Sequence, residues 1–313
     1  MPTSWLTAAP PTVALEIASH RVTVVGATRS GGRTTVTALA TEALPAGAVR
    51  PALVGSNVVD REAVVSAARR ALDRAGLGSA RRVALVVPDS IARVSLLPLE
   101  QIPARPQDLE QLLRWQMRKA LPFPMEEAQV SHFRASGDGA TTTMAAVVAR
   151  RDVVAEYEAV AGALGLHAGV VDLASFNVMT TMVGGNAVST GDWLLVHLAH
   201  EATTLAILRG PALLFYRHRN AHEEPLRALV HQTAMYHEDR LGGGAFAGVY
   251  VCGAGAAELS ADAHERVRER FGVTVDTVDV RSAATFSSAV TVPDDIIDAL
   301  AAPVGALLSE RAA

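Results

Sequence analysis

The chain has 313 residues, half of them hydrophobic and 19% charged, with a formal net charge of −4. That composition excludes a disordered polymer, and it gives no basic excess to point to nucleic acid or anionic lipid as the main partner. Lys119 is the only lysine and follows Arg118, so a phosphate loop of the Gly-Lys type is excluded, and the single cysteine, Cys252, excludes an intrachain disulfide and a cysteine-rich metal site.

The start, Met1-Pro2-Thr3-Ser4-Trp5-Leu6, lacks a basic segment followed by an apolar one, and no apolar run approaches the ~18 residues of a membrane span. The expectation is a reducing cytoplasm, with any membrane contact made through a partner.

Val13–Ala18, Arg21–Arg29 and Arg33–Leu44 read as three strands, the last two joined by a hairpin turn at Ser30-Gly31-Gly32. Asp60 caps a helix whose Val64, Ala68, Ala71, Leu72 and Ala75 share a face and which stops at Gly76. Arg82–Asp89 is a buried-type strand, completing the order β-β-β-α-β.

A second unit follows. Arg93–Leu97 reads as a strand, and Pro106 opens a helix striped by Leu109, Leu112, Leu113, Met117 and Ala120 that ends at Pro122 and Pro124. Gln129–Ala135 and Thr141–Ala149 form a hairpin, Val153–Leu164 a helix, Gly169–Leu173 a strand and Ser175–Val183 an apolar helix. Gly184 to Gly191 reads as a linker.

The last third repeats the opening order: strands Trp193–His200, Thr203–Arg209 and Ala212–Arg217, a helix to about Arg240, and a strand Gly248–Cys252 with a tight turn at Gly253-Ala254-Gly255. A helix Asp262–Phe271, a strand Val273–Val280 and a helix from about Pro293 to Ser309, with Pro303 inside it, complete the chain. Two β-β-β-α-β units predict two related lobes facing a cleft.

Several strings carry a resemblance: Val13-Ala-Leu-Glu-Ile-Ala-Ser-His20, Val86-Val-Pro-Asp-Ser90, Leu121-Pro-Phe-Pro124, Val171-Asp-Leu-Ala-Ser-Phe176 and Val251-Cys-Gly-Ala-Gly-Ala256. With the element order, they resemble the PilM family of type IV pilus assembly proteins, which belongs to the actin-like ATPase superfamily with the cell-division protein FtsA. The resemblance implies an α/β, actin-like fold of two RNase H-like lobes with a small FtsA-type inserted subdomain. The first lobe (1A) would take residues 10–90 and 168–188, the insert (1C) 91–167, and the second lobe (2A) 189–313. The chain passes almost directly from Tyr216-Arg-His-Arg-Asn220 into the helix at Pro225, so subdomain 2B is expected to be missing.

It also implies a site against which residues can be compared. In such a fold two glycine turns present N–H groups to phosphate oxygens, a carboxylate in each holds magnesium, and a third turn receives adenosine. Here Glu16 stands for an aspartate, Ala18 for a glycine and His20 for a small residue, while Ser19 keeps a hydroxyl. In the second turn His197 stands for the aspartate and Ala199 for a glycine, while Thr203 and Thr204 remain. The third keeps Gly253 and Gly255. These six residues — Glu16, Ser19, Thr203, Thr204, Gly253 and Gly255 — outline a degenerate nucleotide cleft. No cofactor is expected, and ATP with magnesium is disfavoured.

The implied role is a cytoplasmic scaffold that binds the N-terminal cytosolic tail of a PilN-like inner-membrane protein and joins the pilus assembly platform, without ATP hydrolysis. In the resembled family that tail lies between the first lobe and the insert, where Arg93, Leu96, Trp115 and Arg118 could line it. The alternatives are an active ATPase of the same machinery and the cytoplasmic scaffold of type II secretion. His218, His222, His231 and His237 are expected to be surface histidines, because no carboxylate sits at matched spacing. Trp115 is expected to be partly buried, and no nucleophile constellation is present.

Overall fold

The computed structural model describes residues 10–137, 141–185, 191–253, 257–292 and 296–308. Three strands open the chain, β1 (Val13–Ile17), β2 (Arg21–Ser30) and β3 (Arg33–Ala43), followed by helix α1 (Arg61–Arg74) and strand β4 (Arg82–Val87). The β2–β3 turn needs positive φ at both central residues, and Gly31 (56°) and Gly32 (76°) supply it. Asp60 accepts the N–H of Ala63 at 2.9 Å and so starts α1 where the sequence places its cap.

The insert comprises β5 (Ala92–Leu99), α2 (Pro106–Met117), β6 (Ala128–Gly137), β7 (Thr142–Arg150) and α3 (Arg151–Ala163). The chain then returns through β8 (His167–Leu173) and α4 (Ala174–Gly184). The second lobe begins with β9 (Asp192–Leu198), β10 (Ala202–Arg209), β11 (Ala212–Asn220), α5 (Leu226–Arg240), β12 (Gly248–Cys252) and α6 (Ala257–Phe271). Two short strands, β13 (Asp276–Thr277) and β14 (Thr285–Phe286), precede the last helix, α7 (Ala301–Leu308).

Two sheets share one topology. The first runs β14-β3-β2-β1-β4-β8 and the second β11-β10-β9-β12-β13, each with an antiparallel trio followed by parallel strands, and β14 adds in parallel to the outer edge of β3 in the first. The insert has its own sheet, ordered β5-β7-β6. Strands of the second sheet alternate between two cores. Leu194, Val196, Leu205 and Ile207 face a cluster with α5 and α6, and Trp193, Leu195, Ala206 and Leu208 join the large central cluster with α4 and α7. The insert buries Leu109, Leu113 and Met117 of α2 with Leu99, Met144 and Val148 of its sheet.

The end of the chain departs from its expected place. Residues 189–313 were assigned to the second lobe, but β14 pairs with β3 of the first sheet, and α7 packs on α4, β1 and β4. An apolar helix with Ala301, Ala302, Val304 and Leu307 buried needs cover on every side, and the space beside α4 supplies it. Gly305 allows the closest approach, since a Cβ there would lie 1.9 Å from the Asn177 carbonyl oxygen. The long helix expected to Ser309 is also divided: α7 begins at Ala301, after a 3-10 turn at Asp298–Leu300. Pro303 thereby falls in the first helical turn, where its missing N–H breaks no hydrogen bond. The expected strand Val273–Val280 is reduced to the two residues that pair with β12.

Candidate functional site

The β1–β2 turn and the β9–β10 turn are built alike. Ala18 N–H donates to the Arg21 carbonyl at 3.0 Å, and Ala199 N–H to that of Ala202 at 2.8 Å. They face each other across the interlobe cleft, with the end of β4 and Gly253 as floor. The turns touch directly: Ser19 Oγ donates to Glu201 Oε2 at 2.5 Å, and the His20 and His200 rings lie 5.7 Å apart. The cleft between them encloses about 40 Å3.

Of the six cleft residues, Glu16, Ser19 and Gly253 line this space. Glu16 is buried, 3.8 Å from Arg21, and its Oε2 has no hydrogen-bond partner. Thr204 lies just beneath, in the network described next, whereas Thr203 faces the other side of β10. Gly255 lies outside the described residues. At Gly253, φ is 88° and a Cβ would sit 2.6 Å from the Leu198 carbonyl oxygen, so both conformation and packing demand glycine. Its N–H donates to Asp298 Oδ2 at 2.8 Å.

Asp89, one residue beyond the apolar end of β4, ties the lobes together. Its Oδ1 accepts the N–H (3.1 Å) and hydroxyl (2.9 Å) of Ser175, and its Oδ2 accepts Thr204 Oγ1 (2.9 Å) and His197 Nδ1 (3.3 Å). The proton positions then follow. Thr204 gives its hydrogen to Asp89 and so accepts from His218 Nδ1 at 2.9 Å, which leaves His218 Nε2 to accept from Ser90 at 3.1 Å. Ser175 likewise accepts from the Tyr216 hydroxyl at 3.1 Å.

Burial works to raise the Asp89 carboxyl, but the His197 hydrogen bond, the His197 and His218 imidazoles beside it and the Ser175 N–H outweigh it and hold it below the usual range. Burial lowers His218, and burial with Arg21 and His200 nearby lowers His20 to about 4. Burial and Asp89 push the Tyr216 phenol up. His197, expected as the relic of a magnesium carboxylate, is thus a donor to Asp89.

Two histidines expected at the surface are not there: His218 belongs to this network, and His237 is fully buried, bonded to Asp192 Oδ2 at 2.9 Å and stacked on Phe246. Their partners, Thr204 and Ser90 for His218 and Asp192 for His237, lie on other elements rather than at helical spacing along the chain, where spacing is read. His222 and His231 are exposed. Sequence reasoning missed Asp89. The available signal was a carboxylate two residues after a run of five buried apolar residues at the carboxyl end of a central parallel strand.

A second concavity lies between β8, at the edge of the first sheet, and the face of β6 and β7 in the insert. It encloses about 320 Å3, with Gln129, Ser131 and Phe133 on one wall, Gly169, Val171 and Leu173 on the other, and Phe176 at one end. Of the four expected groove residues only Leu96 faces this side, together with Val94 and Phe133. Arg93 has the parity of Leu97 and Leu99, which face α2. Trp115 is not partly buried but 72% exposed, because Leu109, Leu113 and Met117 turn the opposite face of α2 to the sheet. Arg118 is exposed beyond the end of α2.

Among the described residues no helix is long and apolar enough to cross a membrane, and no group of three or more His, Cys, Asp or Glu could hold a metal ion. The family model for type IV pilus assembly protein PilM matches residues 14–228. The chain belongs to the PilM family. A chain in a PilM-PilN type IV pilus biogenesis complex is 17% identical and superposes with a TM-score of 0.80, over 95% of this chain and 97% of that one. A Bacteroides thetaiotaomicron protein with an actin-like ATPase fold and unknown function is 7% identical, with a TM-score of 0.53 over 87% of this chain and 91% of that one. The fold is therefore actin-like, and the chain is a type IV pilus assembly protein of the PilM family. The matched PilM span takes in both hairpin turns, the Asp89 network and the β8 groove.

Proposed function

We propose that the chain is a scaffold of type IV pilus assembly on the cytoplasmic face of the inner membrane. It holds the N-terminal cytosolic tail of a PilN-like protein in the β8 groove and does not hydrolyse ATP. The similar fold found in a PilM-PilN complex supports the partner class. The groove supports the mode of binding: an edge strand facing a wall of Gln129, Ser131, Phe133, Val147 and Ala149 suits an extended peptide, which adds to the strand through its backbone and is selected by alternate side chains.

The cleft between the turns does not fit a magnesium nucleotide. Its residues are already committed to one another: Ser19 to Glu201, the Gly253 N–H to Asp298, His197 to Asp89. Three carboxylates, Glu16, Asp89 and Glu201, stand against one arginine, Arg21, among the described lining residues, and this balance repels a polyphosphate. The observation that carries the reading is the direct contact of the two hairpin turns across the space a triphosphate would need.

A titration of the fluorescent tail peptide tests the groove. Ser131→Arg, an exposed change on its wall, is expected to weaken binding about tenfold or more, since it places a charge against an apolar contact. Trp115→Ala is expected to leave affinity unchanged. The opposite pattern would move the site to α2.

A further inference from the structure

The β8 groove adjoins a second cavity. Phe133 and Phe176, which meet edge to face with centroids 5.3 Å apart, wall both. The second cavity encloses about 310 Å3, at the low end of the roughly 300–1,000 Å3 of small-ligand sites. Three parts of the molecule contribute walls: Phe133 from the insert, Met179 and Thr180 from α4, and Pro211 and Leu213 from the β10–β11 hairpin of the second lobe. No charged side chain lines it among the described residues, so a polar occupant would lose hydration without replacement.

Chain direction connects the two cavities. A peptide added along the seven residues of β8 covers roughly 23 Å at ~3.3 Å per residue. Leu173, the end of β8, runs straight into α4, whose Phe176, Met179 and Thr180 lead from the groove to the second cavity.

Resting on the groove assignment above, we infer that the partner's tail does not end at β8. Beyond its strand-like segment it passes Phe133 and Phe176 and seats an apolar side chain in the second cavity, so one peptide touches the insert and both lobes. Its affinity then depends on the lobes holding this mutual arrangement, and bound tail favours that arrangement in return.

The test uses the full chain and a synthetic peptide of the complete cytosolic tail of the PilN-like partner. Thr180→Arg and Pro211→Arg put a charge on opposite rims of the second cavity, away from β8, at half-buried and exposed positions. Each is expected to weaken tail binding about tenfold with the melting temperature unchanged. A photoreactive leucine analogue at one apolar position of the tail is expected to cross-link the unmodified protein at the β10–β11 hairpin, a readout that needs no variant to fold. Equal affinity for both variants, with no cross-link to that hairpin, overturns the inference. If Ser131→Arg still abolishes binding, the groove reading survives that result. A tail that fails to bind the unmodified protein overturns both.

Discussion

Asp89 shows how much one buried carboxylate does here. Its two oxygens receive four donors from three separate elements, so removing it strands Ser175, Thr204 and His197 in the interior together. Asp89→Ala is expected to cost on the order of 3 kcal/mol, measured by urea unfolding, because each orphaned donor keeps its desolvation penalty. Gly253→Ala is expected to cost on the order of 2 kcal/mol by the same measurement, through positive φ and contact with the Leu198 carbonyl. His20 gives the protein a pH dependence of definite sign. The unfolded chain binds a proton at this residue near pH 6.5 and the folded chain only near 4, so stability falls as pH drops through that window. Burial depresses His218 in the same direction, while Asp89, held low, keeps its contribution until more acid pH. Melting temperatures measured from pH 7.5 to 4.5 should decline below 6.5, and His20→Gln should flatten the decline. An unchanged slope would assign it to other groups. At this scale the sequence was half legible: Glu16, Ser19 and Gly253 could be placed beside the cleft because turns are local, and Asp89 could not, because its partners come from distant elements.

Elements were read well where their own residues decide them. The hairpin glycines, the Asp60 cap and the α2 stripe each act within a few residues, and the elements stand where the sequence places them. Elements that exist only through a neighbour were misread. β14 is two residues long and is a strand because β3 offers its edge, and the Val273–Val280 stretch pairs with β12 at only two positions. The face of α2 follows the same logic: its stripe predicted which side is buried, but not that Trp115 stands clear of every neighbouring wall. The α4–α7 contact gives the sharpest prediction at this scale. Gly305→Ala sets a Cβ against the Asn177 carbonyl at a distance no rotamer relieves, and Thr181 Oγ1 already bonds the Ala301 carbonyl at 2.7 Å. It should destabilise the protein by about 1–3 kcal/mol, seen as a lower urea midpoint with an unchanged m-value.

Across the whole molecule, two copies of one sheet topology are held together by their own side chains. The Asp89 network and the Ser19–Glu201 contact join the lobes, and among the described residues of the cleft Ser19, His197 and the Gly253 N–H already bond to other side chains. Magnesium ATP at millimolar concentration is therefore expected to leave the melting temperature unchanged, and a rise of several degrees would refute the non-nucleotide reading. The amino-acid order alone determined the longer elements, the duplicated β-β-β-α-β pattern and the family likeness, because hydrophobic period, caps and turns act between residues close along the chain. Tertiary structure alone decided that Asp89 joins the lobes, that α7 returns to the first sheet and that a concavity opens between β8 and the β6–β7 face while Trp115 stands exposed on α2. Those outcomes depend on which surfaces meet, and the pairing of residues 86 to 120 positions apart is not written in any local pattern.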